Sequence, residues 1–169
     1  MWNYGFYCYL YQKELLTKFN VRFDENTRHF EDREFNWKYL CHCKKYAWID
    51  APLYGYRVTP NSATHKKTSW EHAQKSLNAV KRVETYLAEN NCAYLETLKS
   101  YLYQRVMWAI AKNIALSKDK ELFNKLCKEY DVKKCMKRTA KDNNKLVKLA
   151  SIFYLINPNL FYFTIGLKK

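Results

Sequence analysis

Glycine and proline are scarce, at three of each in 169 residues. A sandwich or barrel uses those residues at its many turns, so their shortage excludes a loop-rich β fold and leaves helix as the main structure. No Cys-x-x-Cys pair occurs among Cys8, Cys41, Cys43, Cys92, Cys127 and Cys135, and no secretory signal precedes them, which points to a reducing compartment. Cys41-His42-Cys43 makes no zinc site by itself, because adjacent ligands on a helix diverge and no second cluster completes a tetrahedron. Residues 2–11 are apolar and aromatic, but no basic residue precedes them and no small-residue cleavage site follows, so they do not read as a leader. Also lacking are an Asp-x-Asp element and a glycine-rich phosphate loop.

What is present in excess is positive charge. Thirty Lys and Arg face sixteen Asp and Glu, a formal net charge of +14. Such a balance attracts nucleic acid, a phosphorylated substrate or an anionic membrane surface. Aromatic residues make up 17% of the chain, enough for base stacking, sugar contacts or an interfacial belt as well as a core. No recognition helix or aromatic platform speaks for nucleic acid.

Signals alternate between strand and helix up to about residue 64 and then read as helix after helix. Residues 2–11 read as a buried strand leading into a short helix over 12–18, and 21–24 as a short extended piece before the turn formers Asp24-Glu25-Asn26. A helix is expected over 31–44 with Phe35, Tyr39 and Leu40 inward, and an extended segment over 46–58 whose Pro52 marks an edge or bulge. Ser69 is the expected N-cap of a helix in which Trp70, Ala73, Leu77, Val80, Val83 and Leu87 form one apolar face. Further helices are expected over 94–116 and 120–130, the long pair packing antiparallel.

The last forty residues change character. Seven basic side chains between Lys133 and Lys148 face one acid, Asp142, and residues 149–167 carry no charge. Asn157-Pro158-Asn159 breaks that uncharged run and argues against a spanning helix. An interfacial helix pair, with Phe153, Tyr154, Phe161, Tyr162 and Phe163 at headgroup depth, and a terminal helix buried on the bundle are the two readings.

The chemistry lies in the first third. Glu31-Asp32 opens a helix, where backbone N–H groups and the positive helix end favour an ionised carboxylate. Phe23-Asp24 precedes the pair, Phe35 follows it, and Tyr54-Gly55-Tyr56-Arg57 and Ser62 come later. In this order the set resembles the acceptor half of family 2 glycosyltransferases, the non-processive type that builds bacterial surface polysaccharides. The Gln-x-x-Arg-Trp element of processive members is absent.

The resemblance implies a cytoplasmic hexosyltransferase-like enzyme, with a peripheral station on the inner face of the cell membrane as one option. It would move sugar from a nucleotide-sugar donor to a glycan or lipid-linked acceptor. Asp32 would be the catalytic base and Glu31 would orient the acceptor or its loop. Arg57 and Ser62 would approach the donor diphosphate, with His29, Tyr54 and Tyr56 at the acceptor or cleft and His65 nearby. The complete enzyme would need a divalent metal, Mn or Mg, held by an Asp-x-Asp motif that this sequence does not contain. Since the match begins almost at residue 1, the donor-binding front is expected to be missing and the chain alone inactive. The implied fold is α+β and predominantly helical: a C-terminal remnant of a GT-A α/β domain in residues 1–65, then a helical bundle extension in 66–169.

Without the resemblance, Glu-Asp before an apolar residue is an ordinary helix start, and Arg57 and Ser62 are strand-end and turn residues. The alternative function is a non-enzymatic basic helical module that binds anionic membrane or nucleic acid. A hydrolase using Glu31, Asp32 or Glu34 is weaker, because carboxylates on one helix do not face each other across a scissile bond.

Overall fold

Apolar positions spaced by three and four dominate the second half of the chain, and they fold it into packed helices. The computed structural model describes residues 6–25, 27, 30–47, 49–55, 57, 68–93 and 95–167. A 3-10 turn at Phe6–Cys8 leads to α1 (Lys13–Lys18) and α2 (Glu31–Leu40). After these come α3 (Trp70–Glu89), α4 (Leu95–Leu116), α5 (Lys120–Glu129), α6 (Val132–Thr139), α7 (Lys145–Ile156) and α8 (Pro158–Gly166).

Among the described residues there is no strand, which overturns the expected α+β class and its GT-A α/β remnant. The described part of 2–11 holds a 3-10 turn, and the described part of 46–57 runs along the surface with Tyr46, Ile49, Leu53 and Tyr54 exposed. A strand needs a ladder with a neighbouring strand to take its backbone N–H and C=O groups, and no such ladder forms among the described residues. Phe6, Tyr7, Tyr9, Tyr11 and Tyr54 in these stretches pack ring against ring instead. The expected division at 65/66 lies outside the described residues.

Caps set the helix limits. Ser69 Oγ accepts the His72 N–H at 3.2 Å at the start of α3, as its sequence position suggests. Asp119 and Asp131 accept the Leu122 and Lys134 N–H groups at the starts of α5 and α6, each at 2.9 Å. Asn157 ends α7 and caps α8 by accepting the Asn159 N–H at 2.9 Å. Its extended backbone is the one a residue before proline prefers, and Pro158 at the first helical turn loses no hydrogen bond.

α4 is the central helix and packs against α3, α5, α6 and α8. Leu102, Val106, Met107, Ile110, Ala111, Ile114 and Ala115 are all buried on it. Small residues let the neighbours approach closely: a Cβ added to Gly166 on α8 would stand 3.2 Å from the Ala115 carbonyl oxygen. Phe123 of α5 is fully buried and meets the rings of Tyr154, Phe161 and Tyr162, tying α5 to the α7–α8 hairpin. Of the five aromatics expected at headgroup depth, Tyr154, Phe161 and Tyr162 are therefore core residues, while Phe163 is exposed. Thr139 of α6 and Ser151 of α7, both buried, share a hydroxyl–hydroxyl bond of 2.7 Å, so neither polar group is orphaned.

α2 lies between two apolar clusters. Phe35 and Tyr39 pack with Val21 and with Tyr11, Leu15, Leu16 and Phe19. Trp37 enters the larger core built from α3–α8. With partners on both sides, α2 buries a wider arc than its one expected inward face.

Candidate functional site

Asp32 stands in the first turn of α2, where the first N–H groups of a helix lack carbonyl partners. The residue before the helix, Phe30, has a left-handed backbone (φ 74°) and contributes no side-chain cap. Asp32 meets the need itself: its Oδ1 accepts the Arg33 N–H at 2.7 Å. Glu31 and Asp32 are both half-buried, within reach of solvent at the open end of the helix. Arg33 returns over the Phe30 ring at 5.4 Å, closing this corner.

One turn along, Asn36 follows Asp32 on the same side of the helix and accepts the Tyr11 hydroxyl proton. Tyr11 Oη also lies 3.1 Å from the Phe6 carbonyl oxygen. Burial pushes the Tyr11 hydroxyl above its ordinary value, and the nearby charges of Tyr9 and Asp32 push it further. Tyr11 is thus a neutral donor beside the Asp32 carboxylate.

The helix is held from below by a charged brace. Glu34, 1% exposed, receives Arg82 Nε at 3.1 Å and Nη2 at 2.8 Å, and Lys38 Nζ at 2.7 Å. Arg82 also donates to Thr27 Oγ1 at 2.6 Å and lies 3.2 Å from Asp24. Thr27 in turn donates to Asp24 Oδ2 at 2.9 Å. A two-pronged guanidinium satisfies both oxygens of a buried carboxylate in one geometry, so α2 is fixed to α3 and to the loop before it.

A chain of rings reaches the site from the other side. Phe35 stacks on Phe23 at 4.1 Å, and Phe23 meets Phe6 edge-on at 5.5 Å. Phe6 meets Tyr7, and Tyr7 stacks on Tyr54 at 4.6 Å. Tyr54 is thereby joined, ring to ring, to the helix that carries Asp32. Arg57 is exposed on the same surface segment. His29, Tyr56, Ser62 and His65 lie outside the described residues.

At the far end of α2, His42 stacks on Phe19 at 3.7 Å, and its Nε2 lies 2.8 Å from the Tyr86 hydroxyl. Burial lowers its pKa, so the ring is a neutral packing and hydrogen-bonding group. Among the described residues, no group of three or more His, Cys, Asp or Glu stands together to hold a metal ion.

Sequence reasoning missed Arg82, Tyr11, Asn36 and Thr27. Arg82 follows Val80 on a helix read for its apolar face, and nothing local connects it to a carboxylate 48 residues earlier. Tyr11 was read as part of an apolar strand. The one local signal that could have found part of the brace is the i,i+4 spacing of Glu34 and Lys38.

No family model and no solved structure matches this sequence. Among curated proteins it matches the uncharacterized glycosyltransferase EpsJ of Bacillus subtilis (strain 168), with 39% identity over 74 residues. The match takes in 42% of this chain and 22% of that protein, so the chain spans about a fifth of its relative's length. Over that part of its length, the chain is related to a glycosyltransferase.

Proposed function

We propose that this chain supplies the acceptor side of an inverting glycosyltransferase, with Asp32 as the base. The relation to a protein named as a glycosyltransferase carries the reading. The site adds a partly exposed carboxylate at the mouth of a helix braced by Glu34 and Arg82. An acceptor hydroxyl beside Asp32 would pass its proton to the carboxylate as its oxygen attacks the anomeric carbon. The bond from that carbon to the diphosphate oxygen would break in the same step. Glu31 would orient the acceptor, and the Tyr11–Asn36 hydrogen bond, one turn along from Asp32, would hold the neighbouring backbone in place.

Arg57 is the proposed counter-charge for the leaving diphosphate, a task that suits a permanently charged planar fork, and Ser62 would add a neutral hydrogen bond. Tyr54, Tyr56 and His29 belong to the acceptor cleft in this reading. The donor is a nucleotide-sugar and the acceptor a glycan or lipid-linked glycan of the bacterial surface. A divalent metal, Mn or Mg, is part of the proposed donor side. No group of described residues fits it.

The test is Asp32→Asn in a polypeptide that also carries a donor-binding region. Sugar transfer is expected to fall by about 10²–10⁴ while nucleotide-sugar binding is kept, because only proton acceptance is lost. Transfer at the unaltered rate would eliminate Asp32 as the base.

A further inference from the structure

The α7–α8 hairpin buries one side against α4, α5 and α6 and leaves the other bare. On α7, Leu146, Leu149 and Ile156 are 64%, 48% and 69% exposed, and they fall in one helical stripe with the half-buried Phe153. On α8 and its C-cap, Leu160, Phe163 and Leu167 recur at spacings of three and four and are 43%, 61% and 79% exposed. Only the Asn157 corner, residues 157–159, separates the end of the first stripe at Ile156 from the start of the second at Leu160. Large apolar side chains gathered on one side of a soluble surface mark an interaction site.

The charged groups beside them are mainly cations, with Asp119 the acid near Tyr162. Lys145 and Lys148 are exposed on α7 among the leucines. Lys120 Nζ lies 4.5 Å from the Tyr162 ring centre and 5.7 Å from that of Phe163, and it bonds the Asn159 side chain. Lys118 lines a shallow hollow with Tyr162, Phe163, Gly166 and Leu167. No acidic side chain occurs from 143 to 167.

We propose that the outer face of the α7–α8 hairpin docks on an anionic phospholipid bilayer, lying in the interface with its apolar stripes in the acyl boundary and its lysines at the phosphates. Two observations favour lipid over a second copy of the chain. Each copy carries +14, so pairing these faces would bring like charges together. The alternation of large apolar residues with lysines also matches the layered chemistry of a headgroup region, where apolar insertion and charge attraction add. The hairpin cannot cross the bilayer: at about 1.5 Å per residue, neither α7 nor α8 approaches the roughly 30 Å hydrocarbon thickness. No described helix is long and apolar enough to do so. This inference is independent of the transferase reading.

Co-sedimentation of the 169-residue chain with vesicles tests it. Vesicles of equal parts phosphatidylglycerol and phosphatidylcholine are expected to bind the chain at least tenfold more tightly than phosphatidylcholine alone, with binding weakened by salt. The Leu149→Ser/Ile156→Ser/Phe163→Ser variant is expected to lose at least tenfold with its circular dichroism unchanged. Lys145→Gln and Lys148→Gln are each expected to lose about fivefold. Absence of wild-type binding would overturn the proposal. So would serine-variant binding equal to wild type, which would leave only diffuse charge attraction. A dimer seen by light scattering, lost in the serine variant and accompanied by no vesicle binding, would assign the face to a second copy. Should the triple variant lose helix, Phe163→Ser alone decides, and unchanged vesicle binding by it overturns the proposal.

Discussion

Arg82 reaches from α3 to grip both oxygens of Glu34, a carboxylate 1% exposed on α2 and 48 residues distant in sequence. The ion pair fixes the helix that opens with Glu31 and Asp32 against the bundle that carries the rest of the chain. Because the carboxylate is withdrawn from water, its partners determine whether this helix stays in place.

Arg82→Met is therefore expected to destabilise the fold by about 2–3 kcal/mol. That is below the usual cost of breaking a buried pair, because Lys38 remains and Arg82 is itself partly exposed. Glu34→Gln/Arg82→Met should cost less than the sum of the two single changes, since it removes the stranded charge with its partner. Chemical denaturation of the four proteins measures the coupling. Strict additivity would show that Glu34 and Arg82 are not energetically coupled.

His42 makes stability depend on pH. Its folded pKa is lowered by burial beneath an ordinary value near 6.5. Below that value the unfolded chain takes up a proton that the folded chain resists, so its contribution is complete above about pH 6.5 and declines as the pH falls towards the lowered value. Denaturation midpoints are expected to drop between about pH 7 and about pH 5, and His42→Gln to flatten that slope. The same slope in the variant would place the proton uptake elsewhere.

Thiol reactivity should follow burial. Cys8 is exposed, whereas Cys135 is 2% exposed and burial pushes its thiol up to about 11. Burial, and next the neighbouring Cys92 thiol, also raise Cys41. Iodoacetamide at neutral pH should label Cys8 first and Cys41 and Cys135 far more slowly, since the thiolate is the reactive form. Mass spectrometry of a labelling time course reads the order, and labelling of Cys135 as fast as Cys8 would contradict the buried position of α6.

Phe123 joins α5 to the hairpin through three rings. Phe123→Ala is expected to cost about 3–5 kcal/mol, for lost burial and the cavity left behind. Protection from amide exchange should fall most in α7 and α8. A loss below about 1 kcal/mol would mean that the hairpin docks without this contact.

The sequence by itself determined the helices and their capped starts: Trp70, Ala73, Leu77, Val80, Val83 and Leu87 share a face through 3.6-residue periodicity, Ser69 caps that helix, and Asn157-Pro158 breaks the tail. These are local effects, fixed within a turn or two of the residues that cause them. The placement of Glu31 and Asp32 at the start of a helix was legible for the same reason. Only the tertiary structure decided that the aromatic stretches near the start pack by rings rather than pair as strands, because a strand depends on a distant partner. It also decided that Tyr154, Phe161 and Tyr162 face inward while Phe163 faces out, since hairpin geometry selects which side of an uncharged helix is covered. The Arg82–Glu34 grip belongs to the same class: its strength comes from desolvation and alignment of groups 48 residues apart, which no local pattern specifies.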